Sequence, residues 1–301
     1  MDLHIRTENL HLRATLLTLE SGHARVQLAW SPEDQTLAEI LEQLGHIPLP
    51  PYLRRDDEPI DREHYQTVYA QIPGSAAAPT AGLHFTEELL ERLQNEGMLF
   101  ADVCLHVGLD TFKPLRSTDV TAHSMHSESL SVPRHSLEQL RDFLRTQTQQ
   151  WLVAIGTTSV RTLESLFWHG VRLIRTQSLW ESPILELPQW EAYRLMREPL
   201  PSPADALDAI LAWLDFHRLE QLQGTTQLMI VPGYRYQMCD ALITNFHQPR
   251  STLLLLIGAL VGDFWRSIYE EALAHGYRFL SYGDASLLIC PRNRTGHKSR
   301  Q

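Results

Sequence analysis

Lysine is almost missing from this chain: Lys113 and Lys298 are its two lysines, and every other basic residue is arginine. With a formal net charge of −10 at pH 7, the chain is no protein for wholesale coating of nucleic acid, although a local basic face fits within that balance. Cysteine is scarce too. Cys104, Cys239 and Cys290 are scattered and form no CxxC pair, as expected of small core residues in a reducing cytosol. Long apolar runs are also lacking; the longest, Leu253 to Val261, is too short to cross a bilayer and reads as buried helix. Met1-Asp2-Leu3-His4 has neither the basic stretch nor the apolar core of a signal peptide. A cytoplasmic location is the resulting expectation. Neither GxxxxGK[ST] nor GxGxxG occurs, which sets aside the Walker loop and the dinucleotide fingerprint. No HExxH or HxH pattern suggests a metal.

What remains is an ordinary globular composition, 43% hydrophobic and 21% charged over 301 residues, enough for one large domain and a smaller one. Leu10 to Leu19 and Ala24 to Trp30 read as a hairpin around Ser21-Gly22-His23. A short helix follows at about Thr36 to Leu44, stopped by Gly45. Ile47-Pro48-Leu49-Pro50-Pro51-Tyr52 reads as a linker, dividing a partial small β-domain (1–50) from an α/β catalytic domain (51–301). Beyond it, helices are expected over Glu63 to Ala70 and from a Thr86 cap to Asn95, with Gly97 at C′. Phe100 to Val107 reads as a strand, and Ser136 with Gln139 as a capping box opening a helix to about Gln150. Leu152 to Ile155 is a short strand before a helix from about Ser159 to His169. Glu181 to Pro201 reads as an irregular excursion, and Ser202-Pro203 opens a helix to about Leu222. Strands are expected at Gln227 to Val231, Tyr236 to Thr244 and Ala285 to Cys290, with a helix pair at about Thr252 to His275. This alternation predicts an α/β fold with a mostly parallel sheet, open or closed.

Six polar motifs lie against those apolar runs: Ala77 to Phe85, Leu105 to Gly108, His123 to Glu128, Gly156 to Arg161, Thr244 to His247 and Ser281 to Asp284. Their number predicts loops converging on one sheet edge, where α/β proteins place their chemistry. In Gly156-Thr157-Thr158-Ser159 a strand turns into a helix whose free N–H groups suit an anion or a ribose hydroxyl, unless Thr158 or Ser159 simply caps it. His84, His106 and His247 fall at presumed strand ends, and His123, His126 and Glu128 have the spacing of metal ligands. Histidines are as readily structural, but beside glycine-containing motifs they suit acid–base work near neutral pH. Asp240, a charge inside an apolar strand, requires a partner, with an arginine as the expectation; Asp284 sits in a turn. Arg54, Arg55, Arg116, Arg161 and Arg250 are candidate phosphate contacts. Tyr52, Phe85, Phe112, Phe246 and Tyr282 are candidates for stacking or for the core.

Taken in order, the words Tyr65 to Tyr69, Ala77 to Phe85, Leu105 to Gly108 with Thr111-Phe112, His126-Ser127-Glu128, GTTSVRTLES (Gly156 to Ser165), Pro232 to Arg235, DALITNFHQPRSTLL (Asp240 to Leu254) and Tyr277 to Asp284 resemble one family. It is that of the S-adenosylmethionine:tRNA ribosyltransferase-isomerases of queuosine biosynthesis. The resemblance implies a barrel-like α/β catalytic domain with a small β-domain, here begun part-way and so N-terminally shortened. It implies transfer and isomerisation of the ribosyl part of S-adenosylmethionine onto the 7-aminomethyl-7-deazaguanine wobble base of tRNA. Epoxyqueuosine-tRNA forms, adenine and methionine leave, and neither a metal nor a membrane takes part. On this reading His84, His106, His126 and Asp284 share the proton transfers. Thr80, Gly82, Gly108, Thr157, Thr158, Ser159, Asn245 and His247 hold the co-substrate, and Arg54, Arg55, Arg161 and Arg250 meet the tRNA. Asp110 stands where the family usually carries glycine. Two alternatives are a catalytically impaired tRNA-binding or partner protein of the same descent, and a metal hydrolase built on His123, His126 and Glu128.

Overall fold

The computed structural model describes residues 2–20, 23–70, 77–106, 120–146 and 150–290. The chain divides into two compact units, Met1–Pro48 and Leu49–Gln301.

The first unit is an antiparallel meander, β1 (Asp2–Arg6), β2 (His11–Glu20) and β3 (His23–Ser31), followed by α1 (Leu37–Leu44). The expected β2–β3 hairpin forms, and β1 is an addition that the reading missed. Thr36 and Glu39 close a capping box on α1, and Gly45 ends it. Leu10, Leu12 and Ile40 make the small core, with Leu28, Trp30 and Leu44 packed against it.

In the second unit, α2 is a single turn, Asp61–His64, where a helix to Ala70 was expected. The following Tyr65-Gln66-Thr67-Val68-Tyr69 is aromatic and β-branched, and the Gln66 side chain accepts the Thr67 backbone N–H at 3.0 Å, which competes with the helical ladder. Next, α3 (Glu87–Asn95) has its expected Thr86 cap, with Glu87 and Glu88 in the first turn. Strand β4 (Cys104–His106) is shorter than anticipated, and β5 (Glu128–Pro133) runs straight into α4 (Arg134–Thr146). The capping box at Ser136 is not formed. Pro133 already sets the helix entry, the Arg134 N–H bonds to Glu220 O, and Ser136 is buried within the first turn.

Strand β6 (Val153–Ile155) leads into α5 (Thr157–Arg175), the central helix. All of its residues from Val160 to Val171 are buried, so its polar members must find partners inside. Glu164 accepts N–H bonds from Gln237, Met238 and Cys239 and the Tyr234 hydroxyl at 2.7 Å; Tyr234 in turn accepts Trp168 Nε1 at 2.6 Å.

The segment expected to be irregular contains β7 (Leu185–Leu187) and α6 (Glu191–Leu195); its prolines, Pro183, Pro188, Pro199 and Pro201, fall outside both elements. Helix α7 (Pro203–His217) carries the Ser202–Asp205 capping box with Pro203 at the first position. It stops at the left-handed Arg218, earlier than expected, and β8 occupies Gln221–Thr226. The strand foreseen at Gln227 to Val231 is absent from those residues. Leu222, Gly224 and Thr226 alternate inward, a pattern masked by the glutamines between them. Strand β9 (Ala241–Asn245), α8 (Thr252–Val261), α9 (Trp265–Ala274) and β10 (Ala285–Ile289) complete the chain.

The described strands of this unit form two sheets, β4-β5-β8-β7 and β10-β9-β6. Only β7–β8 and β6–β9 are parallel; β4–β5, β5–β8 and β9–β10 are antiparallel. The mostly parallel expectation is therefore corrected to a mixed α/β arrangement. Two helices, α8 and α9, lie between β9 and the antiparallel β10, as two, α6 and α7, lie between β7 and the parallel β8. Thr252–Ala274 has the length and apolarity of a membrane span, yet Gly262–Phe264 interrupts it. Each remaining helix is ten residues, about 15 Å, half a hydrocarbon core.

Candidate functional site

The end of β9 gathers the first cluster. Asn245, buried, accepts the Thr80 hydroxyl at 3.0 Å through Oδ1 and meets His84 Nε2 at 3.2 Å and Gly283 O at 3.5 Å through Nδ2. The short turn Thr80–His84 is thereby fastened to β9. Gly156, whose N–H bonds to Ile243 O at 2.8 Å, lies under the same turn; a Cβ on it would sit 3.8 Å from Ala81 Cβ. Its φ of +87° is left-handed backbone that suits glycine, and it swings α5 away from β6.

No side chain caps α5, so capping by Thr158 or Ser159 is ruled out. The Ser159 hydroxyl donates back to Ile155 O at 2.7 Å. Thr157 and Thr158 stand half-buried in the first turn, whose N–H groups and dipole favour electron-rich ligand atoms.

Asp284 belongs to the same corner, but its carboxylate is already engaged. Oδ2 accepts the Arg278 backbone N–H at 2.7 Å and Oδ1 faces the Arg278 guanidinium at 3.3 Å. Those bonds, and more weakly the charges of Arg278 and His84, hold it below the usual carboxylate range. An anion at neutral pH, it is better suited to electrostatic support than to taking protons. His247 is tied to Thr244 Oγ1 at 3.1 Å, and its backbone N–H donates to the Tyr269 hydroxyl at 3.0 Å. Burial lowers its pKa to about 4, which leaves it neutral. Gly82 is less a ligand cradle than a packing necessity: a Cβ there would strike the Tyr69 hydroxyl and lie 2.7 Å from Thr67 Cγ2.

A second cluster lies one turn further along α5. His126 Nε2 is 2.9 Å from Glu128 Oε1, and Arg161 pairs with the other carboxylate oxygen. Glu128 and Arg161 are both buried. Arg161 thus takes the place a metal would hold beside His126 and Glu128, and no metal-binding group of three or more His, Cys, Asp or Glu occurs among the described residues. Thr252 and Leu253, at the start of α8, line the same cavity as His123, His126 and Arg161.

His106 lies on β4 opposite Ser129, the residue after Glu128, with Cys104 Sγ at 3.8 Å from its Nε2. Arg161 is no surface phosphate contact, because α5 buries it. Arg55 is committed to a two-pronged bond with the buried Asp61, at 2.7 and 2.8 Å, which also accepts the Tyr282 hydroxyl at 3.1 Å. Arg54 and Arg250 are exposed. The Asp240 carboxylate accepts the Leu152 N–H at 2.8 Å. Phe246 packs edge-on to Tyr269 and Tyr277, and Phe85 is buried; Tyr52 bonds to Ser281. Gly108, Asp110, Phe112 and Arg116 lie outside the described residues.

The chain matches the model of the family described as "Queuosine biosynthesis protein" over residues 2–288. It belongs to that family. An S-adenosylmethionine:tRNA ribosyltransferase-isomerase of Francisella tularensis subsp. mediasiatica is 36% identical over 297 residues, 96% of this chain and 73% of that protein. A namesake in Francisella tularensis subsp. novicida is 39% identical, over 85% of this chain and 61% of its own. One from a Sulfurihydrogenibium species is 38% identical, over 83% and 59%. This chain therefore spans roughly three-fifths to three-quarters of the relatives' length. The crystal structure of an S-adenosylmethionine tRNA ribosyltransferase from Thermotoga maritima aligns with 92% of this chain and 62% of its own, at 28% identity and a TM-score of 0.44.

Two buried carboxylates in this family member carry more of the site than the sequence reading gave them. Glu128 orients His126 and Arg161 together. Glu164, inside GTTSVRTLES, clamps the loop leading to β9. A charged residue within an otherwise core-facing helix is the signal that points to Glu164.

Proposed function

We propose that this chain transfers and isomerises the ribosyl part of S-adenosylmethionine onto the aminomethyl group of a 7-aminomethyl-7-deazaguanine wobble base in tRNA. Epoxyqueuosine-tRNA, adenine and methionine are the products, and no metal takes part. We assign Met1–Pro48 to the small β-domain and Leu49–Gln301 to the catalytic domain, acting in the cytoplasm. The observation that carries the reading, beyond family membership, is the bonding of Asn245 to both Thr80 and His84 beside the uncapped start of α5.

The chemistry asks for a base, an acid and a polar cradle. The sulfonium acidifies the neighbouring ribose carbon, and a positioned imidazole takes that proton. His84 is exposed at the cluster's edge. His126 presents Nε2 to Glu128, which favours that tautomer and leaves Nδ1 to accept a proton from the attacking amine. Thr157, Thr158 and the α5 N–H groups hold ribose oxygens. His106 and Gly108 remain assigned to proton transfer and co-substrate binding, and Arg54 and Arg250 offer their exposed guanidinium groups to tRNA phosphates. Adenine release from S-adenosylmethionine, dependent on tRNA carrying the modified base, tests the reaction. Its absence from the purified protein refutes the proposal. Undiminished turnover after replacing His84 and His126 with alanine refutes the residue assignment alone.

A further inference from the structure

Arg161 has more donors than partners. Its side chain is 9% exposed, and one terminal nitrogen pairs with Glu128. Its Nε and its second terminal nitrogen, both buried, have no hydrogen-bond partner among the described residues. Leaving buried guanidinium N–H groups unmet costs more than a typical hydrogen bond returns. Arg161 lines a cavity together with Thr252 and Leu253. Those are the first two residues of α8, and the Ser251 cap takes the Leu254 N–H, leaving theirs for a ligand. A buried arginine and a ten-residue helix N-terminus facing one space make an anion site.

The space beside Arg161 is small. Its volume is about 30 Å³, room for about two water-sized groups. Two oxygens of a carboxylate fit such a space. Met125, Leu228, Met229, Ile230 and Leu256 supply its apolar lining, as a methylene chain behind the carboxylate would require. Arg161 lies five residues beyond Gly156 on the same helix, about 7.5 Å along its axis. A ligand whose ribose meets the first turn of α5 reaches the cavity with its tail.

We propose that Arg161, with the first N–H groups of α8, binds the carboxylate of the amino-acid tail of the sulfonium donor. The assignment rests on the ribosyl-transfer reading above, and deepens it by making Arg161 a specificity determinant. It moves Arg161 from the tRNA surface to the co-substrate.

The test compares S-adenosylmethionine with its decarboxylated form, by equilibrium binding and by tRNA-dependent adenine release. The wild-type protein is expected to prefer the carboxylated donor by about 10- to 100-fold, the worth of a charge-assisted pair. Arg161→Gln should bring the ratio near one while leaving the decarboxylated donor's affinity nearly unchanged. Thr252→Pro removes one N–H at a position where proline is tolerated and should lower the ratio severalfold in a folded protein, so the proposal stays decidable if Arg161→Gln fails to fold. Equal wild-type affinity for both donors overturns the assignment, as does full discrimination in Arg161→Gln or Thr252→Pro. A rise confined to the KM for tRNA in Arg161→Gln also overturns it, in favour of a phosphate. Adenine release without discrimination leaves the reaction standing and the tail assignment refuted; no adenine release from wild type refutes both.

Discussion

Replacing Glu164 separates two reasons for a buried side chain, volume and acceptor capacity. Three backbone N–H groups, of Gln237, Met238 and Cys239, and the Tyr234 hydroxyl converge on its carboxylate at 2.7–3.1 Å. Burial pushes the carboxyl pKa up, and those donors oppose the rise. In Glu164→Gln, Oε1 keeps Met238 and Cys239, while the amide nitrogen faces Tyr234, whose oxygen can accept it. The loss should be about 1–2 kcal/mol, roughly one hydrogen bond. Glu164→Met preserves the bulk and orphans every donor; at about 1–3 kcal/mol for each buried unsatisfied group, it should cost about 4 kcal/mol or more. For a unit of this size about 2–4 °C of Tm accompanies each kcal/mol, so the variants should differ by about 5 °C or more. Thermal unfolding followed by circular dichroism is the assay. If Glu164→Met proves as stable as Glu164→Gln, packing alone explains the position and the acceptor argument fails.

Asn245→Ala removes both the Thr80 and the His84 tie. Adenine release should fall about 10-fold or more, with the melting curve showing a folded protein; unchanged turnover would count against the cluster. Burial lowers the pKa of His247 to about 4 from 6.5, so the unfolded chain binds the extra proton first. Its contribution to stability is complete above about pH 6.5 and is lost as pH falls toward 4; His247→Gln should flatten that part of a stability–pH profile, read by urea unfolding. Ser202→Ala breaks the box at the start of α7 and should cost about 1 kcal/mol, seen as a lower denaturation midpoint at unchanged slope.

Local signals in the chain foretold local structure. Thr86 and Ser202 announced helix starts because a cap is a contact within four residues, and Gly45 announced a stop for the same reason. The Tyr65 to Tyr69 stretch was misread because its aromatic and β-branched residues face neighbours that no local pattern contains. Strand β8 was hidden because only Leu222, Gly224 and Thr226 turn inward, and glycine carries no hydropathic mark. Strand direction, too, lay beyond pattern reading: two helices precede both the parallel β8 and the antiparallel β10, so helix count does not decide it.

The site divides along the same line. The motifs and their order were sufficient to indicate the family, because each word holds several chemically uncommon neighbours. Which words meet was decided by the fold: Asn245 joins Thr80 and His84 across 165 and 161 positions of chain. Arginine looks alike in any sequence. Burial alone separates Arg161, paired with Glu128 inside the protein, from Arg54 and Arg250 in solvent, because the cost of removing charge from water depends on surroundings that only three dimensions supply.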